Sequence, residues 1–102
     1  GQIGQSAYSG SKAGINGMNM PAARELSRYN IRVNSIAPGL FGTPMVKSFD
    51  EKVQTALIAM CEAPKRMGEM EEFAHTCAYL AENAYVNGRC IRLDAATILQ
   101  AK

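Results

Sequence analysis

A tyrosine and a lysine stand four residues apart in the stretch AYSGSKAG at residues 7–14. Positions i and i+4 of a helix share a face, so the Tyr8 hydroxyl and the Lys12 ammonium can serve one site. A free phenol titrates near pH ~10, too high for a base at neutral pH, but a neighbouring cation favours the phenolate and lowers that value. A tyrosine tuned in this way can give a proton to a substrate oxygen or take one from it. Ala7, Ser9, Gly10, Ser11, Ala13 and Gly14 are small enough for a ligand or another backbone to come close. The same spacing also suits a packed ring beside a solvated amine, and the small residues also suit tight helix packing.

Elements that position such a pair are visible in the periodicity. Tyr8, Lys12, Ile15, Met18, Ala22, Leu26 and Tyr29 recur at spacings of three and four, which predicts a helix from Ala7 to Asn30 with this stripe turned inward. Pro21 falls inside it and removes a backbone donor, so a kink or local loosening is expected there. IRVNSIA, residues 31–37, predicts a strand that ends at Pro38 and Gly39. The loop PGLFGTPM follows, its two glycines and two prolines stopping regular structure. A second helix is expected with Phe49, Val53, Ala56, Leu57 and Met60 on one side, and after EAPKRMGE a third with Met70, Phe73, Ala74, Cys77, Leu80 and Ala81. NAYVNG marks its stop, RCIRLD at residues 89–94 predicts the last strand, and residues 95–102 read as a tail.

Helix, strand, helix, helix, strand is half of an α/β pattern, and a parallel sheet of two strands cannot have both faces covered. Further strands are expected upstream. The expected fold class is therefore α/β, the C-terminal half of a Rossmann-like, doubly wound parallel sheet with flanking helices. A right-handed crossover brings a helix N-terminus near the carboxyl edge of its sheet, where ligands of open α/β sheets bind. Tyr8 and Lys12 are expected at that end.

Composition narrows the partners. The chain has 102 residues, 47% hydrophobic and 20% charged, with a formal net charge of +2, as in ordinary soluble globular domains. Its basic residues are scattered, which leaves no electrostatic footprint for nucleic acid or an anionic membrane. No apolar run approaches the roughly 18 residues that cross a bilayer, and the start lacks the charged and apolar blocks of a signal peptide. Cys61, Cys77 and Cys90 have no CxxC or metal-ligand spacing, so no metal is expected and reduced thiols in a reducing intracellular compartment, the cytoplasm or the mitochondrial matrix, are. His75, the single histidine, falls between the apolar positions of its helix and is expected at the surface or its boundary.

YSGSKAG, a helix, and then IRVNSIAPGLFGTPM resembles the C-terminal half of the short-chain dehydrogenase/reductase family, whose pattern is YxxxK, a helix, a strand, and PG followed by a threonine. The likeness continues through RMGEMEEFA and VNGRCIRLD. It implies that residues 1–102 are the C-terminal part of a single NAD(P)-binding Rossmann-fold domain whose N-terminal half is absent. It also implies an oxidoreductase using NAD, or NADP, to interconvert a secondary alcohol and a ketone, with a 3-hydroxyacyl-CoA or a hydroxysteroid as substrate. Tyr8 would be the general acid/base. Lys12 would hydrogen-bond the nicotinamide ribose and lower the tyrosine pKa. Pro38, Gly39, Leu40 and Phe41 would form a backbone ledge against the carboxamide, with Thr43 helping to hold that end of the cofactor. Residues 44–66 would be the mobile substrate segment, where an acyl-CoA or sterol lies against Met45, Phe49 and Leu57, side chains that also read as plain helix core.

Several features depart from the family pattern. The family's serine, thirteen residues before the tyrosine, would precede Gly1, as would the glycine-rich phosphate loop, the cofactor-selecting acid and an active-site asparagine. LDAA stands where the family usually has a glycine after the aspartate, and AMCEAPKRMG replaces a more apolar, proline-rich stretch. Arg92 and Asp94 read as structural charges or as part of the interface of the family's usual homotetramer. Two rival readings follow: an NADPH-dependent 3-oxoacyl carrier-protein reductase, and an inactive fragment that only associates with a partner.

Overall fold

The first predicted helix is broken in two. In the computed structural model, which describes residues 2–97, α1 spans Ser6–Gly17 and α2 spans Asn19–Leu26, with Met18 between them. Pro21 is the third residue of α2. It has no N–H for the Gly17 carbonyl and its ring crowds that group, so the break falls one turn ahead of it. A 3-10 turn, Ser27–Tyr29, then ends at Asn30, whose φ of 58° is the left-handed stop that asparagine tolerates. The stripe assigned inward does not point into a core. Ile15, Met18 and Tyr29 are 56%, 65% and 61% exposed, while Asn19 and Ala23 are the buried positions. A stripe is buried only when a second surface covers it, and α1 packs mainly on α2.

Among the described residues the sheet comprises two parallel strands, β1 Ser35–Pro38 and β2 Cys90–Leu93, registered from Ser35 opposite Cys90 to Pro38 opposite Leu93. Both are shorter than predicted, because asparagine side chains take over the pairing at their start. The Val33 N–H donates to Asn87 Oδ1 at 2.9 Å, and the Asn34 amide donates to the Val86 carbonyl at 3.0 Å. Asn34 Oδ1 in turn accepts from the Arg89 N–H at 3.0 Å. Buried Asn19 ties α2 to the sheet by donating to Ser35 Oγ at 2.6 Å.

After β1, Thr43 caps a short helix, α3 Pro44–Lys47, by accepting the Val46 N–H at 3.3 Å, with Pro44 at the position where its missing donor is harmless. The predicted second helix is α4 Glu51–Ala59, and the third is α5 Met70–Glu82. Glu69 and Glu72 form a capping box at the start of α5. Arg66 forks onto Glu72 at 2.6 and 3.2 Å.

That hydrogen bond from Arg66, with the Glu69 N–H, pulls the Glu72 carboxyl from its ordinary 4.5 down to about 2. A depressed carboxylate pKa stabilises the folded state above the unfolded value, and the contribution fades as pH falls through the folded one. Acid titration of denaturation midpoints is therefore expected to separate wild type from Glu72→Gln above pH 4.5 and to bring them together toward pH 2. A constant separation across that window would contradict the pairing.

The chain extends over 50 × 31 × 22 Å with a radius of gyration of 15.7 Å, against about 13 Å for a compact chain of this length. Among the described residues only Asn19, Ala23, Phe41 and Cys61 are buried. On α5, Met70 is 51% exposed and Cys77 is exposed, because two strands offer too little surface to cover the face that periodicity marks as apolar. His75 is exposed, as expected. No helix among the described residues is long and apolar enough to cross a membrane. Of the predicted tail, residues 98–102 lie outside the described part.

Candidate active site

Tyr8 and Lys12 occupy successive turns of α1. The Lys12 ammonium lies 5.5 Å from the centroid of the Tyr8 ring, within cation–π range. The ring is 59% exposed, and the Ser11 hydroxyl donates to the Tyr8 carbonyl at 2.8 Å. The pair thus combines a phenol that can exchange a proton with a cation held against it, on an accessible helix face.

The loop at residues 38–43 is fixed by its own backbone. The Gly39 N–H donates to the Leu93 carbonyl at 2.9 Å, the Gly68 N–H to Leu40 at 2.8 Å and the Gly42 N–H to Gly68 at 3.0 Å. Gly39 and Gly68 are required by close approach. A Cβ on Gly39 would come within 2.6 Å of the Asp94 Cβ, and one on Gly68 within 2.6 Å of the Phe41 ring. Phe41, 9% exposed, stands edge-on to Phe73 with centroids 5.8 Å apart. With these bonds made, the N–H groups of Leu40 and Phe41 and the carbonyl of Gly39 have no partner among the described residues.

Beside the loop, Pro38, Leu40, Thr43, Met45, Met70 and Phe73 line a largely apolar recess of about 360 Å³. Leu57 lies in an adjoining recess of about 390 Å³, with Pro38, Gly39, Leu40, Met60 and Asp94. The structure thus gathers the predicted ledge with Met45, and sets Leu57 next to it. Phe49, 39% exposed, lines neither recess, and neither do Tyr8 and Lys12. Met70 and Phe73 were legible only as a helical stripe, and nothing in the sequence marks Gly68 or Asp94 as supports of the loop. Their part depends on contacts between segments far apart in the chain.

Residues 1–95 match the family model described as enoyl-(acyl carrier protein) reductase. The chain is 50% identical over 100 residues to human 3-hydroxyacyl-CoA dehydrogenase type-2, a match covering 98% of this chain and 38% of that protein. It is 51% identical over 96 residues to the protein of the same name from Drosophila melanogaster, covering 94% of this chain and 38% of the relative. A 3-oxoacyl-[acyl-carrier-protein] reductase from Thermotoga maritima is 39% identical over 101 residues, covering 97% of this chain and 41% of the relative. The crystal structure of 3-hydroxyacyl-CoA dehydrogenase type-2 from Mycobacterium avium superimposes with a TM-score of 0.90 at 45% identity, covering 100% of this chain and 39% of that one. The chain therefore spans 38% of the length of the dehydrogenases it matches.

Proposed function

Because this chain belongs to the short-chain dehydrogenase/reductase family, we propose that it is the C-terminal part of an NAD-dependent oxidoreductase that interconverts a secondary alcohol and a ketone. A 3-hydroxyacyl-CoA is the leading substrate and a hydroxysteroid the second. The observation that carries this reading is the Lys12 ammonium held against the Tyr8 ring on an open helix face. Two N–H groups and a carbonyl at residues 39–41 that have no partner among the described residues, beside an apolar recess, support it.

A nicotinamide fits those residues. Its carboxamide offers a donor and an acceptor, which the Gly39 carbonyl and the Leu40 and Phe41 N–H groups match. When bound, the cofactor supplies the hydride chemistry. This chain supplies the rest. The Tyr8 hydroxyl would hold the proton exchanged with the substrate oxygen, and Lys12, whose ammonium lies against the Tyr8 ring, would donate to the ribose. Pro38, Gly39, Leu40, Phe41 and Thr43 would orient the carboxamide end. Met45 and Leu57 provide apolar surface to the substrate, with Phe49 further out.

The whole enzyme would be a homotetramer in a reducing intracellular compartment, its serine, phosphate loop and cofactor selector supplied by the remainder of the domain. The full-length protein is expected to turn over acetoacetyl-CoA with NADH about tenfold or more faster than with NADPH, and the 102 residues alone to turn over neither. The opposite coenzyme preference would select the carrier-protein reductase reading. Turnover by the isolated chain would show that it is no mere part of the active site.

A further inference from the structure

The LDAA segment is more than a departure from the family pattern. Ala95 and Ala96 sit at φ 49° and 55°, in the left-handed region where a Cβ crowds the following carbonyl. Successive left-handed alanines persist only where surrounding bonds fix them. Asp94 Oδ1 accepts the Ala96 N–H at 3.1 Å, the Thr97 N–H donates to the Asp94 carbonyl at 2.9 Å, and the Thr97 hydroxyl donates to the same carbonyl. Arg92 grips Asp94 Oδ2 at 2.8 and 2.5 Å, leaving that side chain 17% exposed.

This turn has contacts on two sides. The Ala95 carbonyl accepts the Glu62 N–H at 2.8 Å, just beyond α4, and the Thr97 hydroxyl lies 3.7 Å from Sγ of Cys61, itself 1% exposed. On the opposite side Asp94 fills the space that a Gly39 side chain would need. The recess containing Leu57 and Met60 is also lined by Pro38, Gly39 and Asp94. One turn therefore joins the end of the substrate segment to the cofactor ledge.

We propose that Asp94 is a positioning residue that, through the turn at residues 94–97, fixes where residues 57–62 sit against the ledge at residues 38–41. Its functional consequence rests on the reading of those segments as substrate and nicotinamide sites. The aspartate is suited to the task because a short side-chain acceptor can hold the N–H two residues on, which the left-handed turn requires. That turn aims the Ala95 carbonyl at Glu62. Without it the carbonyl swings away and the end of α4 loses its tie.

Hydrogen exchange read by mass spectrometry on the intact protein tests the tie directly. In Asp94→Ala, peptides spanning residues 57–66 are expected to exchange about tenfold faster while those of α5 keep their rates. Asp94→Asn retains the acceptor and is expected to restore protection. Ala95→Gly, which keeps every hydrogen bond and relieves the crowding, is expected to leave protection intact, whereas Ala95→Val is expected to mimic Asp94→Ala. With acetoacetyl-CoA as substrate, Asp94→Ala is expected to raise KM about tenfold with little change in kcat. Unchanged exchange at residues 57–66 in both Asp94→Ala and Ala95→Val would overturn the proposal, as would equal acceleration in α5 or failure of Asp94→Asn to restore protection. Exchange that responds as expected in a protein inert toward acyl-CoA would instead remove the functional reading and keep the tie.

Discussion

On the proposed reading, Tyr8→Phe in the full-length protein is expected to lower kcat by roughly 100- to 10,000-fold, the usual contribution of a positioned general acid/base. The substitution removes one oxygen and keeps the ring that Lys12 covers at 5.5 Å. Phenylalanine keeps every ring carbon, and in these 102 residues the ring stands 59% exposed on α1, so no ring contact is lost. Removing a hydroxyl with no buried partner should change stability by no more than about 0.5 kcal/mol. Cofactor affinity should also hold, because Lys12 and the ledge at residues 38–41 are untouched. Steady-state kinetics with acetoacetyl-CoA, alongside a denaturation curve, separate the two effects. Near wild-type turnover in a folded variant would remove Tyr8 from the proton-transfer role.

Arg32→Met is expected to destabilise the protein by about 2–3 kcal/mol, within the range for hydrogen bonds made by a charged donor. The Arg32 guanidinium donates to four carbonyls around the end of α5: Leu80 at 2.6 Å, Ala81 at 2.8 Å, and Asn83 and Val86 at 3.1 Å each. The last carbonyls of a helix have no partner within it, and a cation there also meets the negative end of the helix dipole. Methionine retains the apolar stem of the side chain and none of its donors. Arg32→Lys should recover less than half of the loss, because a point charge cannot fork over four acceptors. Urea unfolding midpoints check both variants. An Arg32→Met midpoint equal to wild type would show that water replaces the guanidinium without loss.

Arg32 also marks where sequence reasoning ran out. Its segment, IRVNSIA, has strand propensity, yet residues 32–34 bond through side chains to residues 80–89, about fifty positions away. Asn34 and Asn87 read locally as turn or loop formers. Here they extend the pairing of β1 and β2 beyond the ladder. The kink expected from Pro21 was legible, since its cause is confined to one turn of helix, and the structure widens it to a break at Met18. The stripes of α1 and α5 were legible as stripes only. Whether Ile15, Met18 or Met70 is buried depends on a covering layer that periodicity does not contain.

By itself the sequence determined the features that act within a few residues: the helical spacing of Tyr8 and Lys12 and the glycine and proline punctuation of residues 38–44. Those depend on backbone sterics and local hydrogen bonding, which neighbouring residues specify. Tertiary structure alone decided which loop amides have no partner among the described residues, why Gly39 and Gly68 have no room for a side chain, and where the locally bonded turn of Ala95 and Ala96 meets Glu62 and the ledge. Each of these follows from the approach of segments distant in the chain, where van der Waals exclusion and hydrogen-bond pairing act between partners that local pattern cannot identify.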